Sequence, residues 1–460
     1  LTRKYGLFTA ICMVVGIVIG SGVFFKAQAI LTKTGGDMPL GIIAWLIGGA
    51  IMLVCLLTFS FMGQKYERVN GLVDYAEATV GPRYGYFMGW FSATIYFPGM
   101  TSVLAWVSAR YTLEFITSAN PAFPMTIPAA QGGCIIGPEC MALTLFYLCA
   151  IYALNAISPK LAGKFQISTT AIKLIPLLLM AVVGTVAGLA NGQITYNFAN
   201  IVDPSVAPTT GLFAGVVALS FAYEGWICAT SIGSELKDAK RNLPRALVIG
   251  AIIVVAVYVA YYIGLAGALD SAVMMENGQE GAKLAFQNIF GQVGGAAIFV
   301  FVVVSCWGTC NGLTMSVCRG MYDLAVDSES DKLKMFKNID PDTGMPANSA
   351  VVGLLTTGLW LVYFYGANLA PTPWFGPFCF DSSELPIITL YLLYIPIFLK
   401  LMSLKNLSGF KRYVAPALAI LCSLFMCFAC IYTYKMKVVF YLIVFVVIMA
   451  LGALFKGKKA

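Results

Sequence analysis

At least nine stretches of about 18 residues or more run with hardly a charge in them, and each can cross a hydrocarbon core roughly 30 Å thick. In lipid no water is present to pair backbone N–H and C=O groups, so such stretches fold as helices that satisfy their own backbone. The composition agrees: 59% of the residues are hydrophobic and 11% charged, against about 25% charged in a soluble domain. A soluble enzyme is excluded. The chain has no histidine, which removes the commonest general base and the commonest neutral metal ligand. It also lacks any HExxH, GxxxxGK(S/T) or GxSxG pattern, so no enzymatic chemistry, cofactor or metal is expected.

Hydropathy divides the chain into twelve candidate helices: 6–31, 40–63, 84–112, 138–157, 163–190, 211–235, 245–268, 294–324, 347–366, 384–401, 413–434 and 437–455. With a cytoplasmic N-terminus, 22 of the 29 lysines and arginines fall on the inner side, and only Lys33, Arg110, Lys283, Lys435 and Lys437 fall outside. That asymmetry predicts both termini in the cytoplasm. A net charge of +8 could mean an anionic partner, yet in a membrane protein the distribution of Lys and Arg matters more than their sum, and no nucleic-acid partner is expected. The first span is full length and has no small-residue cleavage pattern, so no cleavable signal peptide is expected.

Of the thirteen cysteines, most, among them Cys12, Cys55, Cys149, Cys228, Cys306 and Cys422, lie in apolar spans, where cysteine acts as a small hydrophobe. Cys134 and Cys140 stand near the outer end of the fourth span. The compartment allows a disulfide there, although two cysteines cannot specify one.

Two spans carry interruptions. In the first, Gly16-Ile17-Val18-Ile19-Gly20-Ser21-Gly22-Val23-Phe24 puts Gly-Ser-Gly near mid-membrane. In the sixth, Ser220-Phe221-Ala222-Tyr223-Glu224-Gly225-Trp226 puts a carboxylate and a glycine at comparable depth. A helix broken inside a membrane must line a cavity or bind something. Each break opens a group of five spans, 6–190 and 211–401, the layout of an inverted five-plus-five repeat, with 413–455 outside it. Amides of Gly20, Ser21, Gly22 and Val23 at the start of a half-helix suit an anion such as a carboxylate. Carbonyls of Val18, Ile19, Phe221, Ala222 and Glu224 suit an ammonium. Close packing of small residues is the better reading of a lone Gly-Ser-Gly; the matching second break turns the balance to a binding site for a zwitterion.

Lys173 lies about ten residues, roughly 15 Å, inside the fifth span. A lysine there costs at least about 2.5 to 3.5 kcal/mol by insertion scales. Snorkelling to the cytoplasmic interface is the alternative, but at that depth Lys173 is expected to hold the broken first helix through that helix's carbonyls, doing what a bound cation would otherwise do. Glu224 has three readings that the sequence does not separate: a proton carrier, a partner for a cationic substrate, or a structural carboxylate. Lys26, just past the first break, either lines an outer vestibule or snorkels. Glu235, close to Lys237, Lys240 and Arg241, is a solvated ion pair or an inner gate. Phe221, Tyr223 and Trp226 flank the second break as candidate gating rings, Phe221 first among them.

The residues Ile19-Gly20-Ser21-Gly22-Val23-Phe24, Phe221-Ala222-Tyr223-Glu224-Gly225-Trp226, Ser234-Glu235-Leu236-Lys237 and Asn242-Leu243-Pro244-Arg245-Ala246 resemble the amino acid-polyamine-organocation superfamily, and within it the L-type amino acid transporter branch and its bacterial relatives. The resemblance covers essentially all twelve spans. It implies an all-α, LeuT-like transmembrane bundle with helices 1 and 6 broken, alternating access, and sodium-independent exchange of amino acids. By position, Ser21 and Gly22 bind the substrate carboxylate, Val18 with Phe221 and its neighbours binds the amine, and Lys173 occupies a sodium-site position. Animal members often carry glycine or aspartate where this chain has Glu224. The proline-bearing loop over about 112–137 does not match the short loop whose cysteine links animal members to a glycoprotein. No heavy-chain glycoprotein partner is therefore expected, and the chain looks bacterial, belonging in an inner membrane; no interface motif indicates its oligomeric state.

The leading expectation is thus an exchanger of neutral L-amino acids. A cationic amino acid carrier, a proton-coupled symporter and a transporter-like sensor are the alternatives.

Overall fold

The structure is a computed structural model that describes residues 6–20, 22–65, 71–227, 236–326, 328–405 and 407–457. Among the described residues the elements are helical and none is a strand. Nine helices among them are long and apolar enough to cross a membrane, and two shorter apolar helices lie in the first and sixth spans. The third span runs through Pro82–Phe91, a π-turn at Ser92–Tyr96 and Phe97–Ala119. It carries charge because it is buried in protein: Arg110 and Glu114 lie on a stretch that is buried almost throughout from Pro98. These elements together supply the twelve expected spans.

The third helix continues to Ala119, past its expected end near residue 112. Arg110 Nε meets Glu114 Oε1 at 2.6 Å one turn away, and the Thr112 and Thr117 hydroxyls bond back to Ser108 and Leu113 carbonyls at 2.8 Å. These contacts satisfy polar groups along the extra turns. What remains of the expected loop is a turn and two short helices, Ala129–Gln131 and Gly133–Ile136. Cys134 and Cys140 are buried thiols that form no disulfide; the Cys134 sulfur instead lies 3.6 Å from the Thr117 hydroxyl. The eighth helix spans Gly281–Val326, with a kink at Gly291 (φ 73, ψ −174). It therefore begins before the expected residue 294.

The chain forms two compact units, neither continuous in sequence. The second, Pro82–Ile172 with Phe299–Pro386 and Lys435–Ala460, satisfies several of its aromatics through their polar tips. Tyr86 reaches the Gly452 carbonyl, Trp90 that of Ile448 and Trp360 that of Thr94, each within 2.9 Å. A Trp or Tyr buried in this way brings both packing area and a satisfied donor.

The first unit gathers Leu1–Gly81, Lys173–Ile298 and Ile387–Tyr434. Lipid tails are as apolar as leucine, so helices associate in membranes largely where small residues let backbones approach. The seventh helix, Ala239–Ala268, follows that rule. A Cβ on Gly188 of the fifth span would collide with Gly267, and one on Gly264 with the Met180 carbonyl. Gly250 lies against Val14 of the first span, while Gly41 and Gly49 of the second lie against Tyr262 and Val255. The seventh helix is thereby locked to the first, second and fifth. Beyond the apolar run, the Asp203 amide bonds the Gly35 carbonyl at 2.7 Å, which pins the C-terminal end of the first span. The Asp203 carboxyl accepts from the Ser205 hydroxyl and amide, and these hold it below the usual carboxylate range.

Candidate functional site

The first span breaks at the expected glycines. Its first half, Leu7–Val18, ends with Ile19 extended (φ −67, ψ 100), and helix resumes over Gly22–Lys33. Ser21 lies outside the described residues. The Ile19 amide still reaches the Val15 carbonyl at 2.9 Å. The carbonyl of Gly16 is the next along the helix, and Lys173 Nζ binds it at 2.5 Å. Lys173 is only 1% exposed. An insertion cost of about 2.5 to 3.5 kcal/mol meets a charged hydrogen bond worth about 1.5 to 3 kcal/mol, so this contact largely offsets the burial.

The sixth span breaks at the expected residues too. Helix Pro208–Ala222 ends in a turn in which the Glu224 amide reaches the Phe221 carbonyl at 3.3 Å. Gly225 has φ 95, a backbone conformation that glycine adopts without the penalty a side chain incurs. Residues 228–235 lie outside the described set, Glu235 among them.

The two breaks touch. A Cβ on Gly22 would sit 2.9 Å from the Ala222 Cα and 3.2 Å from the Phe221 ring, so only a glycine lets the start of one half-helix meet the end of the other. Tyr258 of the seventh helix spans the junction. Its hydroxyl lies 3.2 Å from the Val18 carbonyl and 3.0 Å from the Ala222 carbonyl, and it also meets the Gly20 amide. A phenol has one proton, so at any moment it serves one of the two carbonyls and leaves the other with an open lone pair.

Around this junction Val18, Ile19, Gly20, Gly22 and Val23 are buried, as are Phe221, Ala222, Tyr223 and Trp226, while Glu224 is partly exposed. Tyr223 turns toward the second helix: its ring packs edge-on to Trp45 at 5.7 Å and its hydroxyl donates to the Trp45 carbonyl at 2.9 Å. Trp226 packs on Phe59 and Tyr394, with centroids 5.7 and 5.6 Å away. Phe221 instead carries Lys26 on its face, with Nζ 5.2 Å from the ring centroid. Lys26 is buried, turned inward rather than snorkelling.

Two residues at the junction escape notice in the sequence, Tyr258 and its neighbour Trp45, whose ring centroids are 5.4 Å apart. The signal was present in Tyr258, Tyr261 and Tyr262, three phenols within about one turn of an apolar helix, because a phenol in lipid needs a partner. Among the described residues no group of three or more His, Cys, Asp and Glu side chains forms a metal site. The junction offers amide donors beside carbonyl acceptors.

Comparison with known proteins follows the same line. Residues 5–454 match the family model described as amino acid permease. The serine/threonine exchanger SteT of Bacillus subtilis (strain 168) is 28% identical over 413 residues, 90% of this chain and 86% of that one. The large neutral amino acids transporter small subunit 2 of Oryctolagus cuniculus is 29% identical over 260 residues, 56% of this chain and 46% of its own length. The cystine/glutamate transporter of Homo sapiens is 24% identical over 349 residues, 75% of this chain and 66% of its own. Among solved structures, MhsT in complex with L-phenylalanine superposes with a TM-score of 0.60 at 15% identity, covering 97% of this chain and 99% of that one; this likeness identifies the LeuT-like fold. With the family model matched over nearly its whole length, the chain belongs to the amino acid permease family of multi-pass membrane amino acid transporters.

Proposed function

We propose that this transporter is a sodium-independent exchanger of neutral L-amino acids, working by alternating access in a bacterial inner membrane with both termini cytoplasmic. The observation that carries the reading is the Lys173 ammonium on the Gly16 carbonyl. It sets a lysine of the protein against the last turns of the first half-helix, the kind of position where a broken-helix carrier coordinates a coupling ion. The similarity to a serine/threonine exchanger over most of both chains supports exchange of small neutral substrates.

In this reading the substrate carboxylate lies on the amides of Gly20, Ser21, Gly22 and Val23, at the positive end of the half-helix. The substrate ammonium takes the carbonyls of Val18 and Ala222, where the single Tyr258 proton satisfies one and leaves the other for the ligand. Ile19, Phe221 and Glu224 complete the set of carbonyls. Phe221 closes over the ligand, and Tyr223 and Trp226 anchor the turn from which it swings. Because substrate bridges the two breaks, the loaded carrier reorients more readily than the empty one, which makes exchange dominate. Spans 1–5 (6–190) and 6–10 (211–401) form the two inverted repeats, with 413–455 accessory.

The test is uptake of labelled alanine and labelled arginine into proteoliposomes in sodium-free buffer, with the lumen empty or preloaded with unlabelled amino acid. Alanine entry that depends on preloading is the expected result. The same dependence for arginine alone would make the chain a cationic exchanger, and uptake into empty vesicles driven by a pH gradient would make it a symporter. Binding without any uptake would make it a sensor.

Tyr258→Phe keeps the ring against Trp45 and Tyr223 but removes the hydroxyl. Without the hydroxyl the Val18 and Ala222 carbonyls lose the donor that positions them, and a positioning loss of about 1 kcal/mol should weaken alanine binding roughly fivefold, measured by calorimetric titration in detergent. Unchanged affinity would remove Tyr258 from the site.

A further inference from the structure

We infer that Lys26 is a specificity-determining residue of the outer gate, a fixed positive charge laid on Phe221 that disfavours amino acids with cationic side chains. The inference rests on the exchange reading above and extends it to substrate class.

Lys26 is four residues beyond Gly22 on the same half-helix, so both lie on one face of it. Gly22 is the residue pressed against Ala222 and Phe221. The lysine therefore overhangs the end of the sixth-span helix, and its ammonium sits 5.2 Å from the centroid of the Phe221 ring. Lys26 is 9% exposed and Phe221 6%. A charge shielded from bulk water in this way acts over several ångströms more strongly than one on a wet surface.

The field at the junction has two further sources. The amides at the start of Gly22–Lys33 add positive potential of the same sign. Glu224, across the break and within electrostatic reach of Tyr391 on the tenth span, adds the opposite sign. Lys173 is engaged with the Gly16 carbonyl on the first half-helix. With Lys26 present, a second cation brought in on a substrate side chain meets repulsion at the gate that offsets its attraction to Glu224. With Lys26 neutral, Glu224 is left to attract it. Lys26 thus separates a neutral exchanger from a cationic one while leaving the backbone groups of the break in place.

The experiment is counterflow of labelled alanine into alanine-loaded proteoliposomes, with unlabelled arginine or unlabelled serine as competitor. The readout is the ratio of their half-inhibitory concentrations. In Lys26→Met and Lys26→Gln the arginine-to-serine ratio should fall by about tenfold or more relative to wild type, while Lys26→Arg keeps the wild-type ratio. The double variant Lys26→Met with Glu224→Gln should lose the arginine preference gained by Lys26→Met. A ratio unchanged in both neutral variants, with arginine and serine weakened alike, would reduce Lys26 to a support for the Phe221 ring and overturn the inference. Arginine competition that persists undiminished in the double variant would assign the gain to vacated space rather than charge, and would also overturn it. Failure of the wild-type protein to exchange alanine at all would refute the exchange reading itself, an outcome distinct from an unchanged ratio in a working carrier.

Discussion

Lys173→Met is expected to cut alanine exchange by roughly tenfold to a hundredfold, the rate equivalent of a charged hydrogen bond worth about 1.5 to 3 kcal/mol. Methionine fills nearly the same volume and needs no desolvation, so the variant should reconstitute and melt at or above the wild-type temperature. Loss of transport without loss of stability is the signature of a residue that holds the first half-helix through the Gly16 carbonyl. Lys173→Arg should not rescue fully, because a planar guanidinium does not replace a point-charge ammonium aimed at one carbonyl. The measurement is initial counterflow rate in proteoliposomes of matched protein content, with detergent melting curves alongside. Wild-type rates in Lys173→Met would show that the ammonium plays no part in the cycle.

Gly22→Ala should have an effect at least as large, by a different route. The new methyl would lie 2.9 Å from the Ala222 Cα and 3.3 Å from the Phe221 carbonyl oxygen, and backbone cannot rotate aside as a side chain can. The two breaks must separate, at a packing cost of about 1 to 3 kcal/mol. A displacement of about 1 Å at a site that orients its ligand can cost about a hundredfold. Alanine binding should therefore fall by more than tenfold, and the melting temperature should fall with it. That pairing separates the variant from Lys173→Met. Scintillation proximity binding in detergent reads the first quantity; an alanine affinity equal to wild type would mean that the breaks do not need to touch.

The twelve spans and the two interruptions were legible because each rests on a local rule. An apolar run of membrane length has one way to satisfy its backbone, and Gly20, Gly22 and Gly225 are the residues that permit a break or a close approach. The ends of helices were less legible where long-range or one-turn contacts decide them. The third helix outlasts its apolar run because Arg110 and Glu114 satisfy each other inside protein, and hydropathy counts such a pair only as a penalty. Lys173 declared a need for a polar partner by its depth, but which carbonyl it meets depends on how the fifth helix packs. That packing is set by the close approach of Gly188 to Gly267 and of Gly264 to Met180. Tyr258 was hidden for the same reason: its hydroxyl bridges Val18 and Ala222, residues 240 and 36 positions away in the chain. Lys26 was open between two orientations, and the contact of Gly22 with Phe221 turns it inward.

The most direct test of the account is an experimental density map of the protein with a bound α-amino acid such as alanine or serine. The account predicts density between the two breaks, with the carboxylate on the amides of Gly20 to Val23 and the ammonium on the carbonyls of Val18 and Ala222. Ligand density elsewhere in the fold, with the Val18, Ala222 and Tyr258 groups bonded to one another as they are without it, would contradict the account.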